Sequence, residues 1–191
     1  MSIDHDSLPI AARVRRFEEA VIRAGLATDE ELDGFLQQLL KDSVPANGAR
    51  LVARAWVDGE FRRLLLDDAP AACRELRLPQ QFELTAVENT AVVHNVVVCT
   101  LCSCYPVALL GPSPSWYKSE AYRARVVREP RAVLGEFGLE LGPAVRIRVW
   151  DASAECRYLV VPRRPDGTED LGEEQLARLV TRNGLTGTAS V

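Results

Sequence analysis

The segment Cys99-Thr100-Leu101-Cys102-Ser103-Cys104 places three of the chain's five cysteines within six residues, directly after the apolar run Val96-Val97-Val98. Thiolates crowded this closely repel one another unless a cation neutralises them, and a soft or borderline transition metal does so best. A structural zinc site takes four ligands, typically two CxxC-like pairs or one such pair joined by His or Cys. Here Cys73 and Cys156 stand alone and His94 is the one nearby imidazole, so a zinc knuckle is short of ligands. In the CxxCxC spacing, the main-chain nitrogens of Ser103 and Cys104 face the same point as the sulfurs once the loop folds into a claw. As deprotonated amides they could complete an in-plane donor set.

Such a claw needs a rigid mount. A strand is predicted near Phe82 to Val87 and a second near Asn95 to Val98, both rich in β-branched residues, with the claw at the end of the second. Before them the pattern is helical. Val14, Phe17, Val21 and Ile22 form one apolar stripe that Gly25 closes, and Leu32, Phe35, Leu36, Leu39 and Leu40 form another. Thr28-Asp29-Glu30-Glu31 reads as a capping box opening the second helix. A further helix begins at Asn47 or Gly48, and Asp58 is the expected N-cap of the next. Beyond the claw, Pro106, Gly111, Pro112 and Pro114 predict an irregular loop. Ser113 or Ser115 is then expected to cap a helix running to about Val127, and a shorter helix from Pro130 should stop at Gly138. Val145, Ile147 and Val149 alternate with polar residues as a strand, Arg157 to Val161 is expected to pair with it, and Leu176, Leu179 and Val180 line a last helix. The order of elements is that of an α+β fold. Two thin amphipathic helices cannot form a core alone, so residues 1–45 are expected to be a helical arm contacting another chain, and residues 46–191 the metal-bearing α+β domain.

Composition sets outer bounds. With 191 residues, 47% of them hydrophobic, and a mean hydropathy of -0.06, the chain can bury an ordinary core. A net charge of -4 gives no electrostatic case for nucleic acid, and the arginines at 123, 125, 128 and 131 read as a solvated or subunit-facing helix. No stretch approaches the ~20 apolar residues of a membrane helix, and the start MSIDHDSLP lacks the basic and apolar regions of a signal peptide. A cytoplasmic protein is expected. Its odd, crowded cysteines fit a metal site in a reducing compartment better than a disulfide framework.

Beyond the claw itself, further collinear blocks carry a resemblance to a known family. VCTLCSC is followed by Ser115-Trp116-Tyr117-Lys118-Ser119, by Tyr122-Arg123-Ala124-Arg125-Val126-Val127 and by Pro130-Arg131-Ala132-Val133-Leu134. Asn47 to Val57 and Val87-Glu88-Asn89-Thr90 precede it; Arg146 to Asp151, with Ala154-Glu155 and Arg157-Tyr158, come after. Together they closely resemble the α subunit of nitrile hydratase, over roughly residues 8 to 188. The resemblance implies a four-layer αββα domain behind the helical arm. It also implies metal-dependent hydration of a small-molecule nitrile to the amide, carried out only with a β-type partner subunit, and a separate activator or metallochaperone protein for loading the metal. The implied ligands are the sulfurs of Cys99, Cys102 and Cys104 and the main-chain nitrogens of Ser103 and Cys104, around a low-spin trivalent ion with one position left for water or substrate. Cys102 is implied as the sulfinic and Cys104 as the sulfenic acid. Cobalt members of the family usually carry Thr at the position of Thr100 and iron members Ser, so the resemblance points to non-corrin Co(III), with iron less favoured. The oxidised sulfurs would be paired with arginines of the β subunit.

The catalytic set implied by the resemblance is Cys104, Cys102 and Ser103 with the outer acids Asp151 and Glu155. For those two, an acidic turn capped by Asp151 is the plainer alternative. Trp116 as a core side chain, Lys118 as a solvated one, His94 as a satisfied strand-edge histidine, and Cys73 and Cys156 as buried apolar thiols are the structural readings. One departure from the family stands out. Tyr105-Pro106-Val107 replaces the usual Tyr-Pro-Trp or Thr-Pro-Trp, and losing an indole beside the metal suggests a bulkier, for example heteroaromatic, nitrile. Two other functions remain: the metal-bearing subunit of thiocyanate hydrolase, whose pocket must take an anion, and a zinc-binding structural subunit without activity.

Overall fold

A computed structural model describes residues 8–79 and 83–191. The expected strand start at Phe82 lies outside the described residues. The chain divides into two compact units, the first reaching Lys41 and the second spanning Asp42–Val191.

In the first unit, helices α1 (Ile10–Arg23) and α2 (Asp29–Asp42, which ends just past the boundary) have no buried residue. Gly25 leaves α1 with a positive φ, and the capping box forms as the sequence predicts: the Glu31 amide donates to Thr28 Oγ1 at 3.2 Å and the Thr28 amide to Glu31 Oε2 at 2.8 Å. Ile10, Phe17 and Phe35 lie exposed on the two helices and Leu26 in the link between them.

The second unit carries the core. Helices α3 (Pro45–Val57), α4 (Gly59–Asp67) and α5 (Ala69–Glu75) come first, and Pro45 lets α3 start two residues before the sequence suggests. Asp58 caps α4 by accepting from the amides of Glu60 and Phe61. Strand β1 (Glu83–Glu88) pairs in parallel with β4 (Cys156–Val161), and β2 (Val93–Val98) in parallel with β3 (Arg146–Asp151). Between β2 and β3 lie α6 (Val107–Leu110), α7 (Ser115–Lys118), α8 (Glu120–Val126) and α9 (Pro130–Glu136); α10 (Glu173–Leu179) and α11 (Arg182–Thr186) follow β4. Helices α4 and α5 pack on β1 and α11 on β4, β2 touches β1 and β4, and α9 covers β3. The order is helix, sheet, sheet, helix, an α+β fold of four layers.

Neither Ser113 nor Ser115 caps the helix after the loop, whose N-cap is Pro114, and two larger expectations also fail. β3 and β4 do not pair with each other: the link at 152–155 carries the chain from one sheet to the other, because β4 is buried almost throughout and needs cover on both faces. The helix expected to reach Val127 in one piece breaks at Ser119, whose extended backbone makes it the N-cap of α8, with Oγ accepting from the Tyr122 amide at 3.2 Å. Helices α6 and α11 have no clear sequence signal. Gly138, with φ of +81°, ends α9 as expected.

At the start of β2 a buried polar network fastens the C-terminal segment. Asn89 Oδ1 accepts from the Asn95 amide at 2.7 Å and from Asn95 Nδ2 at 3.0 Å, which leaves Asn89 Nδ2 to face His94 Nδ1 at 3.2 Å. His94 Nδ1 is therefore the acceptor, and Nε2 donates to the Gly187 carbonyl at 2.7 Å. Gly187 has φ of +79°, and a Cβ there would lie 1.9 Å from the Asn95 carbonyl oxygen, so no other residue fits. The histidine is satisfied, as the sequence suggests. Burial holds its pKa below the ordinary 6.5, and protonation would set an N–H of the ring against the Asn89 amide. A depressed histidine pKa stabilises the fold fully above the unfolded value and loses that contribution as pH falls. We expect unfolding free energy to decline below about pH 6.5, by up to about 1.4 kcal/mol per pH unit, and the His94→Gln variant to flatten that segment of the profile; chemical denaturation between pH 7.5 and 5 checks this.

Candidate metal centre

The claw begins where β2 ends. Cys99 is buried at the foot of the loop, Leu101, Cys102 and Ser103 are exposed, and Cys104 is half-buried as the chain turns back into the core at Tyr105. Parallel pairing of β2 with β3 sets Val98 opposite Asp151. That register brings the Asp151 carboxylate under the first turn of the claw, where Oδ1 accepts from the Thr100 amide at 2.8 Å and Oδ2 from Thr100 Oγ1 at 2.6 Å. Asp151 thus acts on the loop rather than merely capping its own turn. Glu155 stands exposed in the link after β3, and its carboxylate makes no contact with the claw among the described residues.

The sulfurs converge. Cys99 Sγ lies 3.4 Å from Cys102 Sγ, which lies 3.1 Å from Cys104 Sγ, and the three are mutually within 4.8 Å. The Cys102 amide donates to Cys99 Sγ at 3.3 Å. Hydrogen bonds from the Cys104 and Cys99 thiols and from the Ser103 amide lower the Cys102 pKa to about 7, while burial and the neighbouring Cys102 sulfur raise that of Cys104 to about 12. Without a cation the cluster therefore shares its charge, one sulfur ionising easily at the expense of the next. Among the described residues no His, Asp or Glu joins this group. Soft donors this close, open to solvent on the Cys102 side, fit a single thiophilic transition-metal ion with room for a further ligand.

Side chains from α7 and α8 hold the loop's backbone. Tyr117 donates through its hydroxyl to the Cys104 carbonyl at 2.9 Å, Arg123 Nη1 to the Cys102 carbonyl at 2.9 Å, and Tyr122 to the Val97 carbonyl in β2 at 2.7 Å. Burial pushes both phenols well above the ordinary tyrosine value, so they stay neutral donors. Tyr117 also meets Tyr105 edge to face, ring centroids 4.8 Å apart, and Trp116 packs on Tyr122 and Phe137. Trp116 is half-buried and Lys118 exposed, as expected. On the inner side, the positive charge of Arg157 favours the Cys104 thiolate, and its guanidinium donates to the Ser153 carbonyl. Sequence reasoning missed Tyr117, Tyr122, Arg123 and Arg157 as parts of the site. Cys73 is a buried apolar thiol, whereas Cys156 is half-buried with Sγ 3.4 Å from Thr85 Oγ1.

Residues 8–189 match the family model described as nitrile hydratase, alpha chain. The low-molecular weight cobalt-containing nitrile hydratase subunit alpha of Rhodococcus rhodochrous is 53% identical over 180 residues, covering 93% of this chain and 87% of that protein. A double mutant of the Fe-type nitrile hydratase from Comamonas testosteroni Ni1 superposes with a TM-score of 0.87 at 42% identity, covering 95% of this chain and 89% of that one. The thiocyanate hydrolase subunit gamma of Thiobacillus thioparus is 41% identical over 203 residues, covering 97% of this chain and 79% of that protein. With a family match over nearly its whole length, the four-layer fold and a three-sulfur claw at the end of β2, this chain belongs to the nitrile hydratase alpha-chain family.

Proposed function

We propose that the chain is the metal-bearing subunit of a nitrile hydratase, with Cys99, Cys102, Cys104 and the main-chain nitrogens of Ser103 and Cys104 as ligands of one cobalt ion. The observation that carries this reading is the convergence of the three cysteine sulfurs within 4.8 Å. The cobalt-containing relative at 53% identity supports cobalt over iron. When bound, the ion supplies a strong Lewis acid that activates the nitrile carbon toward addition of water. The protein's own part is to orient and to protect. Asp151 and Thr100 fix the first half of the claw, Tyr117 and Arg123 the second, and the buried tyrosines close the inner side to water. In the proposed mature state Cys102 and Cys104 would carry sulfinic and sulfenic oxygens, and the Cys104 oxygen would serve as base or nucleophile toward the nitrile carbon. Glu155 is kept as an outer acid acting in the assembled enzyme.

Activity requires a β-type subunit, which supplies the cations that pair with the oxidised sulfurs, and residues 1–45 serve as the arm that contacts it. The exposed apolar residues of α1 and α2 support that assignment. A small activator protein delivers the ion. Val107, half-buried at the start of α6 and three residues after Cys104, is small and uncharged, which supports a neutral nitrile over the thiocyanate anion and a bulky or heteroaromatic one among nitriles.

Three outcomes are expected. Metal analysis and intact mass of the co-expressed assembly should give about one cobalt per chain and about 48 Da of added mass on the claw peptide, three oxygens' worth; zinc with unmodified cysteines would instead indicate a structural subunit. Replacing Asp151 by Ala removes both acceptors from Thr100, and we expect kcat to fall by roughly tenfold or more with the metal retained, since two hydrogen bonds to a charged group are lost. In a panel of nitriles assayed beside thiocyanate, kcat/KM should favour benzonitrile-sized and heteroaromatic substrates over acrylonitrile, and Val107→Trp should reverse the order; turnover of thiocyanate alone would assign the chain to the hydrolase branch.

A further inference from the structure

Arg123 is an unusual clamp. Its Nη1 donates to the Cys102 carbonyl at 2.9 Å, its Nε is buried without a partner, and among the described residues no carboxylate pairs with it. Arg125, two residues further along α8, is by contrast bridged to Glu129 and Glu136. A full positive charge is thus directed, unneutralised, at one peptide oxygen of the claw.

That oxygen is not an arbitrary acceptor. The Cys102 carbonyl is conjugated through its peptide bond with the nitrogen of Ser103. If Ser103 N exchanges its proton for the metal, the proton passes to solvent, a nitrogen–metal bond replaces the N–H bond, nothing is oxidised, and the negative charge spreads by the same resonance onto Cys102 O. A cationic donor on that oxygen stabilises the charged peptide far better than a neutral one does. We propose that Arg123 is the positioning residue that makes the Ser103 amide a metal donor, by holding a guanidinium on the carbonyl that shares its charge. The inference rests on the donor set proposed above. Tyr117 provides the built-in contrast: its hydroxyl holds Cys104 O, which is conjugated with Tyr105 N, a nitrogen outside that donor set.

The test compares the cobalt-loaded assembly carrying the native chain, Arg123→Gln, Arg123→Lys and Tyr117→Phe. The readouts are nitrogen and sulfur donors by X-ray absorption, the visible and near-ultraviolet charge-transfer spectrum, and cobalt release to a chelator. Loss of Arg123's charge should speed release about tenfold or more, as expected for removing a charge-assisted hydrogen bond, and shift the charge-transfer bands. Arg123→Lys should recover most of both, and Tyr117→Phe should leave the bands in place. Equal spectra and release within twofold for Arg123→Gln and the native chain would overturn the inference, as would a Gln variant indistinguishable from Tyr117→Phe. Should Arg123→Gln fail to assemble, Arg123→Lys decides alone: bands and release near native support the charge, a metal-free or strongly shifted site with the assembly intact overturns it. A native centre with sulfur donors only would overturn the donor set itself, and is recognisable without any variant.

Discussion

Three sulfurs held within a few ångströms of one another impose the constraint on which the rest of the molecule depends. Like charges at such distances repel by several kcal/mol even in a moderately polarisable surrounding, so a loop free to move would spread them. This loop is restrained at each alternate residue: Asp151 holds Thr100, Arg123 holds Cys102, and Tyr117 holds Cys104. The restraints come from different parts of the chain, which makes the claw a product of the fold and not of its six residues. The parallel register of β2 and β3 matters most. A slip of one residue would turn Asp151 to the opposite face of the sheet and leave the Thr100 amide and hydroxyl without their acceptor.

Strand β2 can bear this load because it is fixed at both ends. Its first residues are tied through His94 and Asn95 to Asn89, Gly187 and the indole of Trp150, and its last carbonyls accept from Tyr122 and from the Ala152 amide. Between these ends Val96, Val97 and Val98 are completely covered by the two helix layers and the second sheet. Burying three valines contributes on the order of several kcal/mol, but its larger consequence here is stiffness. A close-packed strand does not lengthen or twist to relieve strain at its tip, so the sulfurs are brought together before any ion arrives.

What could be read from the residues alone was local. The Thr28 capping box, the Asp58 cap, the Gly138 stop and the apolar run of β2 each depend on neighbours within a turn or a strand, and each is found in the structure. Strand pairing depends on partners far along the chain, which explains why β3 and β4 looked like a hairpin; short apolar strands carry no mark of which sheet they join. Ser119 was hidden because serine is tolerated inside a helix as well as at its cap. The claw was plain from cysteine spacing, whereas its clamps were not. Tyr117, Tyr122 and Arg123 each bond to a main-chain carbonyl, and a carbonyl belongs to every residue, so no pairing of side-chain types betrays the contact.

Charge gives a physical reason for the proposed division of such a centre between two chains. In the proposed donor set three thiolates and two deprotonated amides would carry five negative charges, of which a trivalent ion would leave two unbalanced; oxygens added to the sulfurs would spread that charge outward. This chain offers Arg157 beside Cys104 and Arg123 on the Cys102 carbonyl, while Cys102 and Ser103 themselves stand exposed. Placing further arginines there within one chain would leave the apo protein with a cluster of like charges that repel one another. In the proposed assembly a second subunit would bring such cations only once the ion and the oxidised sulfurs are present to pair with them. The same arrangement would keep the apo claw exposed at Cys102 and Ser103 until the proposed assembly covers it.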